Sequence, residues 1–161
     1  MPTSQGLDVT FNAYQYSSAS PGSQADGLAF VLAAVNPANP LSPANIGQSG
    51  GALGYSAKSP NLSGLADAYL GVGFDVFGNF SNSVYEGTGC TDPPYISTTG
   101  GKVPGQVVVR GPGNGLTGYC ALNSTATSTT SAVVPIHGAT RAASLVPVEV
   151  APPPTTPPAR P

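Results

Sequence analysis

Glycine and proline recur so often in this chain that almost no stretch reads as a helix. There are 21 glycines and 18 prolines among its 161 residues. Glycine carries a large entropic cost in a helix, and proline lacks the donor and clashes with the preceding turn. What survives this punctuation is strand-like patterning. "LDVTFNAY" (7–14) places Leu7, Val9, Phe11 and Ala13 on one face and Asp8, Thr10 and Asn12 on the other. "GLAFVLAAV" (27–35) is a continuous apolar run, the pattern of a strand covered on both faces. "GALGYSA" (51–57) reads as a short strand after a glycine-rich approach. "AYLGVGFDVF" (68–77) alternates Leu70, Val72, Phe74 and Val76 against Gly71, Gly73, Asp75 and Phe77. "GQVVVRG" (105–111) and "GYCAL" (118–122) form a hairpin across "GPGNGLT". In "AASLVPVEV" (142–150), Val146, Val148 and Val150 alternate, and Pro147 marks an edge strand or a strand start. Short strands separated by Gly, Pro and Asn turns predict an all-β sandwich.

The chain is long enough for one domain with a real core. Hydrophobic residues make up 40% and are patterned, which argues against wholesale disorder despite the glycine and proline content. The expected division is a sandwich over 1–150 and a polyproline-type extended tail, "APPPTTPPARP", over 151–161. "NSTATSTTS" (123–131) reads as a polar, mobile loop.

Only 7% of the residues are charged, against about 25% in an ordinary soluble domain. With a net charge of −2 and no basic patch, nucleic acid and anionic membrane surfaces are poor partners. No apolar run approaches the length of a membrane span. "MPTSQGLDVTF" has neither the basic start nor the apolar core of a secretory signal, so the start reads as a boundary within a longer chain. The composition itself is of an extracellular kind. Cys90 and Cys120 are the only two cysteines, so at most one intrachain bridge can form; two separate buried thiols are the other reading. Two cysteines and the single His137 do not complete a zinc ligand set.

Three stretches carry chemistry. In "ADGLAF" (25–30), Asp26 stands at the mouth of a strand. In "SGGALGY" (49–55), paired glycines let a backbone approach a ligand and offer an N–H. In "FDVFGN" (74–79), Asp75 and Asn79 offer oxygens, a donor set that suits calcium rather than zinc. Taken singly, Asp26 also reads as a turn residue, Gly50 and Gly51 as a bulge, and Asp75 as a cap on local backbone N–H groups.

In this order and spacing, "ADGLAF", "GGALGY" and "FDVFGN" resemble the legume-type (L-type) lectins. "GNFSN", a following cysteine and "VVVRGPG" are most similar to lectin-like domains of bacterial surface proteins. The resemblance covers about residues 6 to 150. It implies a concanavalin A-like jelly roll, here incomplete at its termini because the family domain is longer. It further implies a cis peptide link at Ala25–Asp26 and a sugar held by four residues. Asp26 would accept from sugar hydroxyls, Gly51 would donate its N–H, Asn79 would donate its amide, and the Phe77 ring would carry a pyranose face. Calcium would be held by the Asp75 carboxylate, the Phe77 carbonyl and the Asn79 side chain. The chain departs from the pattern at Gly73, where the family has a glutamate that binds a transition metal, so that site is expected to be absent. It departs again near Val84, where the second calcium carboxylate belongs; Glu86 or Asp92 would have to substitute.

The expected function is therefore a carbohydrate-binding module, with glycan or polysaccharide as partner and calcium as support, in a secreted or cell-surface protein. A non-catalytic adhesion or spacer scaffold that has lost the sugar site is the alternative. A glycoside hydrolase is disfavoured. None of the seven acids (Asp8, Asp26, Asp67, Asp75, Glu86, Asp92 and Glu149) forms a same-face pair on one strand. A lone His137 supports no serine–histidine–acid set.

Overall fold

A computed structural model describes residues 6–17, 24–34, 46–58, 60–91, 102–125 and 136–151. Residues 126–131 of the loop expected at 123–131, residues 152–161 of the tail expected at 151–161, and Asp92 lie outside them; Asn123 and Ser124, read as loop, instead end the strand Ala121–Ser124. Among the described residues the regular structure is all-β with three short 3-10 turns. The strands are β1 (Val9–Tyr14), β2 (Leu28–Ala33), β3 (Ala68–Asp75), β4 (Gln106–Arg110), β5 (Gly113–Asn114), β6 (Thr117–Gly118), β7 (Ala121–Ser124) and β8 (Leu145–Val150).

The strands form two antiparallel sheets. One pairs β1 with β8, from Val9 opposite Val150 to Tyr14 opposite Leu145. The other is built on β3, which has β2 on one edge and β4 on the other, with β7 beyond β4. β5 continues β4 in the same register along β3, since Gly71 faces Arg110 and Ala68 faces Gly113. β6 and β7 continue each other in the same way, so the expected hairpin is present and turns at Gly115–Leu116.

Alternation decides what each face meets. Phe11 of β1 stacks on Phe30 of β2 with centroids 5.5 Å apart and sets its edge on Phe74 of β3 at 6.4 Å. Val72, Phe74 and Ile136 are buried there, with Leu28, Leu70, Val107, Val146 and Val148 packed around them. This is the core between the sheets, and the period of two in β1, β3 and β8 places its residues.

The opposite face of β3 is covered by loops. Tyr55, Leu65, Phe80, Val108 and Tyr119 form a second core there. Gly71 and Gly73 make that possible: a Cβ on Gly71 would stand 2.6 Å from the Tyr55 ring, and one on Gly73 would stand 2.3 Å from Phe80. The Tyr55 hydroxyl donates to the Gly111 carbonyl at 2.7 Å and the Tyr119 hydroxyl donates to that of Leu65 at 2.8 Å, so both phenols are buried with partners.

Two expectations need correction. Residues 51–57 are not a strand. Gly50–Ala52 make a 3-10 turn, closed by left-handed backbone at Leu53 (φ 51°) and Gly54 (φ 73°), because the chain must double back over β3. β2 is not covered on both faces: Val31 is 36% exposed. Tyr55 and Tyr85 are buried, whereas Tyr69 is 70% exposed.

The Cys90–Cys120 bridge is formed, with Cα atoms 5.3 Å apart and a sequence separation of 30. In the chain-entropy account, closing such a loop stabilises the fold by about 3 to 4 kcal/mol. A bridge of this kind fits an oxidising, extracellular-type environment. No helix among the described residues is long and apolar enough to cross a membrane.

Candidate functional site

β3 ends at Asp75, and the chain then turns through residues 76–85 over the mouth of β2. The Ala25–Asp26 link that leads into β2 is cis. Gly27 follows with φ 149°, and a Cβ there would lie 2.3 Å from the Phe74 carbonyl oxygen, so β2 enters directly against the end of β3. The Phe77 N–H donates to the Asp26 carbonyl at 3.0 Å and ties the two segments together.

The 3-10 turn at Gly50–Ala52 closes the arrangement from the other side. A Cβ on Gly50 would stand 3.7 Å from the Asp26 carboxylate oxygen Oδ2. One on Gly51 would stand 2.5 Å from the Asn79 Cβ and 2.7 Å from the Tyr85 hydroxyl. Asp26, the Gly50–Gly51 backbone, Asn79 and Tyr85 therefore meet at one place, with Phe77 bonded to Asp26 beside them. Asp26, Phe77 and Asn79 are half-buried, while Gly51 is buried.

Three residues of this region had no functional role in the sequence reading. Tyr85 lies against Gly51 at the end of the Ser83–Tyr85 turn, and burial, then the charges of Asp26 and Asp75, raise its phenol above the ordinary range. Lys102 holds its ammonium 3.4 Å from the centroid of the Phe77 ring, over one face of the expected stacking platform. Arg110 lies beneath the loop. Lys102 and Arg110 reach the site from distant segments, so no local pattern marks them, whereas Tyr85 belongs to the loop itself and its turn brings it against Gly51.

Asp75 points inward. It is fully buried. Its Oδ1 accepts from the Gly78 N–H at 2.7 Å and its Oδ2 from the Phe80 N–H at 2.6 Å. Burial pushes its carboxyl up to about 6, opposed by the backbone N–H groups of Gly78, Phe80, Asn79 and Ser81. The sign of the resulting pH dependence follows. Below about pH 4 the group is protonated in both folded and unfolded chains. Between about pH 4 and 6 the folded state binds more protons, so stability falls as pH rises, and above about 6 this contribution is gone. The full effect is on the order of 3 kcal/mol. Urea midpoints measured from pH 4 to 8 should show this decline, and Asp75→Asn should flatten it. An unchanged slope in that variant would assign the decline to other groups.

Two of the donors expected for calcium, Asp75 and Glu86, already have partners within the fold. Both Asp75 oxygens already hold backbone donors. Glu86, the proposed substitute ligand, accepts from the Ala121 N–H at 3.2 Å and pairs with Arg110 at 3.6 Å. The Arg110 guanidinium is itself a buried cation close to Asp75, which contributes to its electrostatics. The glutamate position of the transition-metal site, Gly73, is filled by the Phe80 ring.

Searches of family models, curated proteins and solved structures return no match to this chain. The functional reading therefore stands on the residues and their placement.

Proposed function

We propose that the chain is a carbohydrate-binding module of a secreted or cell-surface protein. The sugar would sit where Asp26, Gly51, Asn79 and Phe77 come together, with Tyr85 as a further wall. The observation that carries the reading is this convergence. Segments around residues 26, 51 and 79 meet on one side of the β2–β3 mouth, with a carboxylate, a glycine backbone, a side-chain amide and an aromatic ring in reach. A carboxylate and an amide offer the acceptors and donors that vicinal hydroxyls need, and an aromatic face suits the apolar side of a pyranose.

A glycan array, read with and without chelator, tests it. The wild type should retain a subset of glycans. Asp26→Ala and Asn79→Ala should each weaken retention at least about tenfold, with melting temperatures unchanged, because half-buried groups at a rim contribute more to ligand than to fold. If no glycan is retained, or if both variants bind as well as the wild type, the reading fails. Release of free sugar from a polysaccharide would overturn it in favour of hydrolysis.

One observation favours the non-binding scaffold as a second reading. Lys102 covers a face of Phe77. A platform already occupied by an internal cation has less to offer a pyranose. Lys102→Ala separates the two: it strengthens retention where the sugar stacks on that face and does nothing in a scaffold.

A further inference from the structure

Arg110 is the largest fully buried side chain among the described residues, and it is spent on backbone carbonyls. Its Nε donates to the Phe80 carbonyl at 2.9 Å, and one terminal nitrogen donates to the same oxygen at 2.5 Å. That nitrogen also donates to the Asn82 carbonyl at 3.1 Å. The other terminal nitrogen donates to the Tyr119 carbonyl at 2.7 Å and faces Glu86. The guanidinium carbon lies 5.0 Å from the centroid of the Phe80 ring.

The position is rigid. Arg110 stands on β4 between Gly71 of β3 and Ala121 of β7. Asp75, on β3, holds the N–H groups of Gly78 and Phe80. Arg110 holds the C=O groups of Phe80 and Asn82. The loop is thus gripped by a carboxylate at its donors and by a guanidinium at its acceptors, and Asn79 lies between the gripped residues. A planar fork of N–H groups does for several carbonyls what a coordinated cation does, with fixed directions.

We propose that Arg110 is the internal cation that positions the 77–85 loop, so that the loop is formed without a divalent metal. Arg110 is a positioning residue: it acts through Phe80 and Asn82 on Asn79 and Phe77. The significance for sugar recognition rests on the reading above, but the test does not.

The test uses the full chain and calcium itself as probe. The melting temperature in millimolar CaCl2 should equal that in EDTA within about 1 °C, since an ion that binds the folded state raises it by mass action. Amide resonances of Gly78 and Phe80 should not move on calcium addition. A rise of several degrees, or shifts confined to these amides, overturns the proposal. Arg110→Lys keeps a charge and loses the fork. Its hydrogen exchange should quicken at Gly78, Phe80, Asn82 and Tyr85 by at least about tenfold more than in the β1–β8 ladder. Equal quickening in both places would mean a merely stabilising arginine and would also overturn it. Should Arg110→Lys not fold, Glu86→Gln gives the same comparison with a milder change. None of these three readouts involves a glycan, so a protein that binds no sugar still passes or fails on its own terms.

Discussion

Arg110→Met is expected to lower the unfolding free energy by about 3 to 5 kcal/mol, the cost of removing one partner of a buried ion pair. Methionine fills much of the volume, so little of this loss comes from a cavity. It comes from what is left behind. Glu86, whose side chain is 13% exposed, keeps a charge with its cation gone. The carbonyls of Phe80, Asn82 and Tyr119 lose their guanidinium donors. Each buried acceptor left unpaired costs about 1 to 3 kcal/mol. Water entering the space would recover part of that, which is why the total stays below the simple sum. Urea unfolding at neutral pH gives the number, because burial brings Arg110 down only to about 10 and the group remains charged there. A loss under about 1 kcal/mol would mean that the guanidinium contributes no more than an exposed one. In a double-mutant cycle with Glu86→Gln the two changes should not add, since they share one contact.

Gly73→Glu is expected to cost about 4 kcal/mol or more, and to leave the chain unfolded if its native margin is no larger. The substitution restores the acid that the lectin pattern has at this position, yet it has no room. Its Cβ would stand 2.3 Å and 2.5 Å from two atoms of the Phe80 ring and 3.2 Å from Leu53. The strand cannot move aside, since Gly73 is paired with Ala29 on one edge and Val108 on the other. Phe80 cannot move either, because its N–H is held by Asp75 and its carbonyl by Arg110. The carboxylate would also enter an apolar layer. Circular dichroism against temperature reads the result. A Gly73→Glu protein that melts near the wild type would show that Phe80 is free to leave, and would reopen the question of a metal at this strand.

Both substitutions turn on the face of β3 that was harder to read. The face carrying Leu70, Val72 and Phe74 was legible, because a one-sided apolar pattern of period two has only one place to go. The same holds for Phe11 in β1 and for Val146 and Val148 in β8. Between Leu70 and Phe74 the other face shows only Gly71 and Gly73 in the local pattern. It is filled by Tyr55 and Phe80, which arrive from loops whose own composition does not announce where they fold. "GALGYSA" shows the limit of local pattern from the other side. Its apolar residues do become buried, but as a 3-10 turn that doubles back over the sheet, since Leu53 and Gly54 take left-handed backbone.

The chain's own order of residues determined the all-β class, the alternating core strands and the β4–β7 hairpin. These depend on spacing along one strand or across one turn, and such spacing is written locally. Asp75 caps the N–H groups of Gly78 and Phe80, the local reading its sequence also allowed. Tertiary structure alone decided that Lys102 reaches Phe77 and that Arg110 grips the loop. The direction of a charged side chain depends on which partners can repay its desolvation, and here those partners lie in other segments. For Arg110 they are carbonyls at residues 80, 82 and 119 and the carboxylate of Glu86.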